Sequence, residues 1–261
     1  MTDLIAAFRR ERDAVLDFCA GLTPQEWVEP SRAEGWRVRD VIAHLGAECH
    51  LNFTADVLAV VRSRNIERLN DDFVARRADW EIDRVVGEFA TWSSRVATVA
   101  RATGRRPLAA IRIPIGELGS YPLRLLPSIL TFDFHVHLRH DIAPALGKEI
   151  PSTDAGRMGS VLEWMLPLLA NFGARDRIWF DRPIGLRLTG DGGGAWRLEP
   201  AEGGRLYVIA GSDDDSATQI TSAAINFPSW ATTRTSWRSH EVNIAGDFEY
   251  AERFLDSINL V

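Results

Sequence analysis

Lysine is almost absent from this chain of 261 residues. Lys148 stands alone among 30 basic residues, and the rest are arginine. Against them stand 36 acidic residues, a net charge of −6, and no basic cluster forms the face that nucleic acid requires. Cysteine is nearly as scarce. Cys19 and Cys49 sit inside helical patterns with no paired spacing, which removes a disulfide framework and leaves two reduced core thiols of a cytosolic protein. No apolar run approaches the ~20 residues of a membrane helix. Arg9, Arg10 and Glu11 arrive too early for the apolar region of a signal peptide. No Ser-His-Asp arrangement supplies a nucleophile. The expectation is a soluble, cytoplasmic protein that binds neither nucleic acid nor membrane, as a monomer or homodimer.

What remains is ordinary globular material, 46% hydrophobic and 25% charged. Its periodicity divides the chain. A first helix is expected over Asp3 to Ala20, with Leu4, Phe8, Val15, Phe18 and Cys19 on one face and Gly21 as its stop. Thr23-Pro-Gln-Glu26 is a capping box that opens a short turn. A long second helix follows Gly35 and reaches about Arg62 through Val38, Val41, Ile42, Leu45, Cys49, Phe53, Val57 and Val60. A third covers about Asp79 to Ala102, with Gly104 and Pro107 ending it. Ile111 to Ile115 alternates like a strand, which Pro114 confines to an edge or loop.

The fourth helical stretch is Thr131-Phe-Asp-Phe-His-Val-His-Leu-Arg-His-Asp141. At about 100° per residue, Asp133 and His137 fall one turn apart on one face, His140 lies just beyond, and His135 points the other way. A carboxylate and an imidazole at this spacing bring their donor atoms towards one point, as a metal claw does. The apolar flanks bury the helix, and a buried charge needs a partner. The plainer reading is a helix with one core histidine and two surface histidines. His44 lies beside the stripe of the second helix, where a lone histidine is ordinarily a hydrogen-bonded core residue. His50 falls on another face and reads as a solvated surface residue.

Four amphipathic segments in this span predict an antiparallel four-helix bundle. A further helix is expected from Ser152 to Asn171. Past Gly173 the period changes to two. Strands are expected over Ile184–Gly190, Ala195–Pro200 and Leu206–Ala210, with a weaker one at Ala217–Thr221. A helix over Ala223–Thr232, a strand over Val242–Ala245 and a last helix complete the chain. The fold class is therefore α+β in two domains, a helical bundle over 1–172 and a small α+β domain over 173–261.

Two motifs carry a family resemblance. They are Trp36-Arg-Val-Arg-Asp-Val-Ile-Ala-His44-Leu, and Asp133-Phe-His-Val-His137 followed by Asp141-Ile and Ala145-Leu-Gly147. Together they resemble the DinB-like superfamily and, within it, the mycothiol-dependent maleylpyruvate isomerase family. Ala195-Trp-Arg-Leu, the surroundings of Arg234 and Val242-Asn-Ile-Ala-Gly-Asp247 resemble that family's second, sterol-carrier-like domain. The resemblance implies a divalent metal, usually zinc, on His44, Asp133 and His137, and a catalytic Arg234 that holds a substrate carboxylate. It also marks two departures: the acid is usually glutamate, and one residue fewer often separates the histidine from the following aspartate. The second departure leaves His140 as a reserve ligand or supporting group.

Three ligands leave one or two positions open, and in this family a low-molecular-weight thiol occupies them. The implied function is a mycothiol-dependent isomerase or thiol S-transferase acting on a small electrophile. The alternative is a non-catalytic protein that binds a small or apolar molecule on the same scaffold, since a shared fold does not imply shared chemistry.

Overall fold

In the computed structural model, which describes residues 3–103, 107–172, 177–211 and 216–260, the first helix begins where Asp3 accepts hydrogen bonds from the N–H groups of Ile5 and Ala6. Helix α1 (Leu4–Ala20) buries Phe8, Val15 and Cys19 and closes at Gly21. Thr23 and Glu26 form the expected reciprocal cap, with the Thr23 N–H 2.7 Å from Oε2 of Glu26. Asp40 similarly fixes the start of α2 (Val38–Leu51) by accepting from the N–H and Nε of Arg37.

Helix α2 is shorter than its hydrophobic pattern predicts. It stops at Leu51, where the Asn52 amide turns back to donate to the Glu48 carbonyl at 2.7 Å. The chain resumes as α3 (Val57–Arg62) and α4 (Ile66–Ala75), the latter capped by Asn65. None of the α3 residues is buried, so Val57 and Val60 do not extend the core stripe. Helix α5 (Ile82–Thr103) runs close to the predicted third helix; the expected stop at Gly104 lies outside the described residues. Strands β1 (Arg112–Ile115) and β2 (Gly119–Pro122) pair antiparallel as an isolated hairpin, in which Pro114 opposes Ser120 without an interior ladder to interrupt. Helix α6 (Leu126–Val136) carries Pro127 in its first turn.

Helices α1, α2, α5 and α6 pack around one core. At its centre the Phe134 ring lies 5.5 Å from Phe8 and 5.0 Å from Phe89. Gly46 lets α2 approach α5: a Cβ there would stand 3.2 Å from the Phe89 nitrogen. Beside that contact a buried ion pair joins α4's end to α5, with Arg77 Nη2 2.8 Å from Glu88 Oε1. His50 enters the same network through a 2.7 Å contact to Glu88 and a stacked ring on Trp92, so it is not a solvated surface residue.

The chain divides into two compact units, Met1–Thr153 and Asp154–Val261. The expected boundary at 172/173 falls against residues 173–176, which lie outside the described residues. Helix α7 (Ala155–Asn171), capped by Asp154, instead belongs to the second unit. There it packs along strand β5 and brings its apolar face with it. The unit's sheet has the order β5-β4-β3-β6-β7, formed by β3 (Ile184–Thr189), β4 (Gly194–Pro200), β5 (Leu206–Ala210), β6 (Thr218–Ala223) and β7 (Asn243–Ala245). Only β3 and β6 are parallel among these pairs. The stretch with the weakest strand pattern, β6, is an interior strand: its Thr218, Ile220 and Ser222 are buried, so its polar side chains do not signal an edge. Helices α8 (Phe227–Ala231) and α9 (Phe248–Asp256) complete an α+β unit. Among the described residues no helix is long and apolar enough to cross a membrane.

Candidate metal centre

Helix α6 does not end at Val136 but widens. Residues His137–Ile142 form a π-helical turn, marked by the Ala143 N–H donating to the Leu138 carbonyl at 3.0 Å. Such a turn takes one more residue than an α-helical turn and is frequent at functional sites. Its consequence is local. Nδ1 of His137 lies 2.7 Å from Oδ2 of Asp141, which is itself buried. As a carboxylate Asp141 can only accept, so Nδ1 carries the proton and Nε2 is the donor nitrogen turned towards Asp133.

Across from this turn, α2 supplies His44. Its Nε2 is 3.2 Å from Oδ2 of Asp133, and Nε2 of His137 is 3.6 Å from Oδ1 of the same carboxylate. One donor atom from each of His44, Asp133 and His137 lies within 4.8 Å of the others. Two donors on a zinc-sized tetrahedral ion are about 3.4 Å apart, so separations of 3.2 and 3.6 Å suit a shared cation. The direction of the groups agrees with that. Despite its distance from His44, Oδ2 of Asp133 makes no hydrogen bond to any described residue. The imidazoles stand edge to face, 5.2 Å between ring centres, so their nitrogens converge and their faces do not stack. Two imidazoles and one carboxylate are a donor set that zinc accepts readily. The residues therefore fit a divalent metal.

The electrostatics follow from this crowding. Burial pushes the Asp133 carboxyl up, but the imidazoles of His137 and His44 outweigh it and hold the group below the usual carboxylate range. Glu48, one turn beyond His44 on α2, is driven the other way. Burial first, and the adjacent Asp133 charge second, raise it well above the ordinary range. Trp36 walls the centre: its ring lies 4.9 Å from His44 and 6.1 Å from His137, while its indole N–H donates to Asp71 at 2.9 Å.

The remaining expected residues fall elsewhere. His140 is not in the converging group; the residue beneath His137 is Asp141, one turn on at i, i+4. The His140 ring is instead 6.3 Å from that of His135. His135 is fully buried on the opposite side of α6, where its Nδ1 is 3.9 Å from Glu11, which also pairs with Arg139. Arg234 belongs to the second unit. It is half-buried just past α8, after Thr233 at φ 56°, with its N–H donating to the Ser229 carbonyl at 3.1 Å. Sequence reasoning gave no role to Glu48 or Trp36. The signal for Glu48 was present, since it stands four residues after His44 just as His137 does after Asp133. Trp36 offered none beyond its place in the first motif, because its approach to His44 depends on how the segment before α2 folds back.

Residues 8–138, half of the chain, match the family described as the mycothiol maleylpyruvate isomerase N-terminal domain. Among curated protein sequences none matches. Among the solved structures that share the fold are two crystal structures of the mycothiol-dependent maleylpyruvate isomerase, one of them a histidine-to-alanine mutant. Each is 14% identical to this chain and covers 93% of it and 91% of its own length, with TM-scores of 0.52 and, for the mutant, 0.51.

Proposed function

From a chain that belongs to the mycothiol maleylpyruvate isomerase family, we propose a metal-dependent enzyme that uses a low-molecular-weight thiol to isomerise, or to add the thiol to, a small electrophile. The observation that carries this reading is the convergence of His44, Asp133 and His137. Their donor chemistry supports zinc as the cation, and the family supports mycothiol as the thiol. A divalent metal held there would lower the pKa of a bound thiol and supply a thiolate at neutral pH.

The chain's own residues have separable tasks in this scheme. Asp141 fixes the tautomer and the ring orientation of His137. Asp133 contributes the negative charge of the donor set. Trp36 closes the side of the centre next to His44 and limits the entry of water. Neither cysteine competes as a nucleophile, since both thiols are buried and burial raises both. Arg234 is the residue we assign to a carboxylate of the acceptor, because its planar fork matches that group.

The test is metal content and thiol consumption in one preparation. Purified protein is expected to bind one zinc per chain and to consume mycothiol in the presence of one or more small electrophiles; His44→Ala is expected to lose both properties. Zinc-loaded protein that neither binds mycothiol nor consumes it with any of several electrophiles would replace the enzyme by a small-molecule binding protein on this scaffold.

A further inference from the structure

The two helices that form the centre present matching pairs. Helix α6 offers Asp133 and His137 at i, i+4, and α2 offers His44 and Glu48 at the same spacing on the side facing them. Oε1 of Glu48 is 3.8 Å from Nε2 of His44. That is inside the limit of about 4.4 Å for two atoms sharing one zinc-sized ion. The other oxygen, Oε2, is buried and has no hydrogen-bond partner among the described residues, as is true of Oδ2 of Asp133. Two adjacent buried carboxyls are costly unless something positive lies between them, either a proton on Glu48 or a cation. A single cation between them removes the cost for both.

We propose that Glu48 is a fourth protein donor to the cation held by His44, Asp133 and His137. The inference rests on the metal reading of that triad and adds a residue to it. Two imidazoles and two carboxylates would balance a divalent charge within the protein. A cation with more than four coordination sites would keep a place for an exogenous ligand. Glu48 would then set how strongly the centre holds its metal, and through the added negative charge how strongly it polarises whatever else binds there.

The experiment is a zinc titration of the full chain labelled with carbon-13 at the glutamate side-chain carboxyl. One resonance, assigned by its disappearance in Glu48→Gln, is expected to shift and to stop shifting at one equivalent of zinc. Zinc affinity of Glu48→Gln, measured against a competing chelator, is expected to fall roughly 10- to 100-fold. Should Glu48→Gln not fold, Glu48→Asp serves for both assignment and affinity. Stoichiometric zinc binding with that resonance unmoved, or with the variant's affinity unchanged, overturns the fourth donor and leaves the triad standing. Wild-type chain that binds no zinc at all, behaving as His44→Ala does, overturns the triad and the fourth donor together.

Discussion

His137 donates its Nδ1 proton to Asp141 across a π-helical turn, with the two atoms 2.7 Å apart. The bond is made between buried groups, and it decides which nitrogen of the imidazole faces Asp133. Residues that orient a metal-binding histidine in this way typically govern metal affinity without touching the ion.

Asp141→Asn should therefore weaken zinc binding by about tenfold, and Asp141→Ala by up to about 100-fold. The asparagine keeps an acceptor for Nδ1 but loses the charge. Chelator competition reads both values, and circular dichroism reports whether the helices persist. Equal zinc affinity in all three proteins would show that Asp141 plays no part in the centre.

The two thiols give a prediction about alkaline pH. Burial pushes Cys19 up from near 9 to about 12, and it raises Cys49 as well. Above pH 9 the unfolded chain ionises Cys19 while the folded chain does not. Stability is thus complete below that pH and declines as pH climbs towards the folded value, by about 1.4 kcal/mol per unit for a fully buried thiol. Urea denaturation at several pH values is expected to show this decline, and Cys19→Ala to reduce its slope. In the native protein at pH 8, neither thiol should react with a chromogenic disulfide, whereas both should in denaturant. Rapid native labelling would contradict the buried placement and reopen the question of a protein nucleophile.

Glu88 ties α4's end to α5 by accepting from Arg77, and it also meets His50. Removing one partner leaves the other charge buried and alone. Glu88→Ala is expected to cost about 3–5 kcal/mol, and changing Arg77 together with Glu88 to apolar residues of similar volume much less. Chemical denaturation of the two variants distinguishes a buried charge pair from a simple loss of packing.

Arg234→Ala should raise KM for an acceptor that carries a carboxylate and leave kcat nearly unchanged, because the contact is common to ground and transition states. For a neutral acceptor the substitution should be silent. A fall in kcat with both acceptors would mean that Arg234 acts on the reacting atoms instead.

Much of this arrangement could be read from residue spacing. The i, i+4 pair on α6 was visible as a claw because a helix turns Asp133 and His137 to one side whatever surrounds them. The α+β class followed from the change of period, which depends only on alternation along the chain. What escaped was set by contacts between distant segments. The end of α2 depends on one amide, that of Asn52, closing on a carbonyl, and the apolar residues beyond it gave no hint of the break. Helix α7 carries a pattern that would suit either unit, and only its packing on β5 assigns it to the second. His140 stayed open because i+3 and i+4 both lie near the face of His137, and only the contact itself gives that place to Asp141.

The π turn also bears on how the chain can tolerate change in length. A helix advances about 100° with each residue, so deleting any one residue from Leu138–His140 would swing Asp141, and everything held behind it, by about that angle. The Asp141 carbonyl is meanwhile anchored from outside the helix, accepting from the Arg32 N–H at 3.0 Å. Both ends of the segment are thus pinned, and a gap cannot be taken up by slippage as it would be in a surface loop. Substitutions at Leu138 test packing; an insertion or deletion tests whether His137 keeps its support at all. In an alignment of related chains, a gap between these two positions would mark a histidine held in some other way, even where every metal-facing side chain is retained.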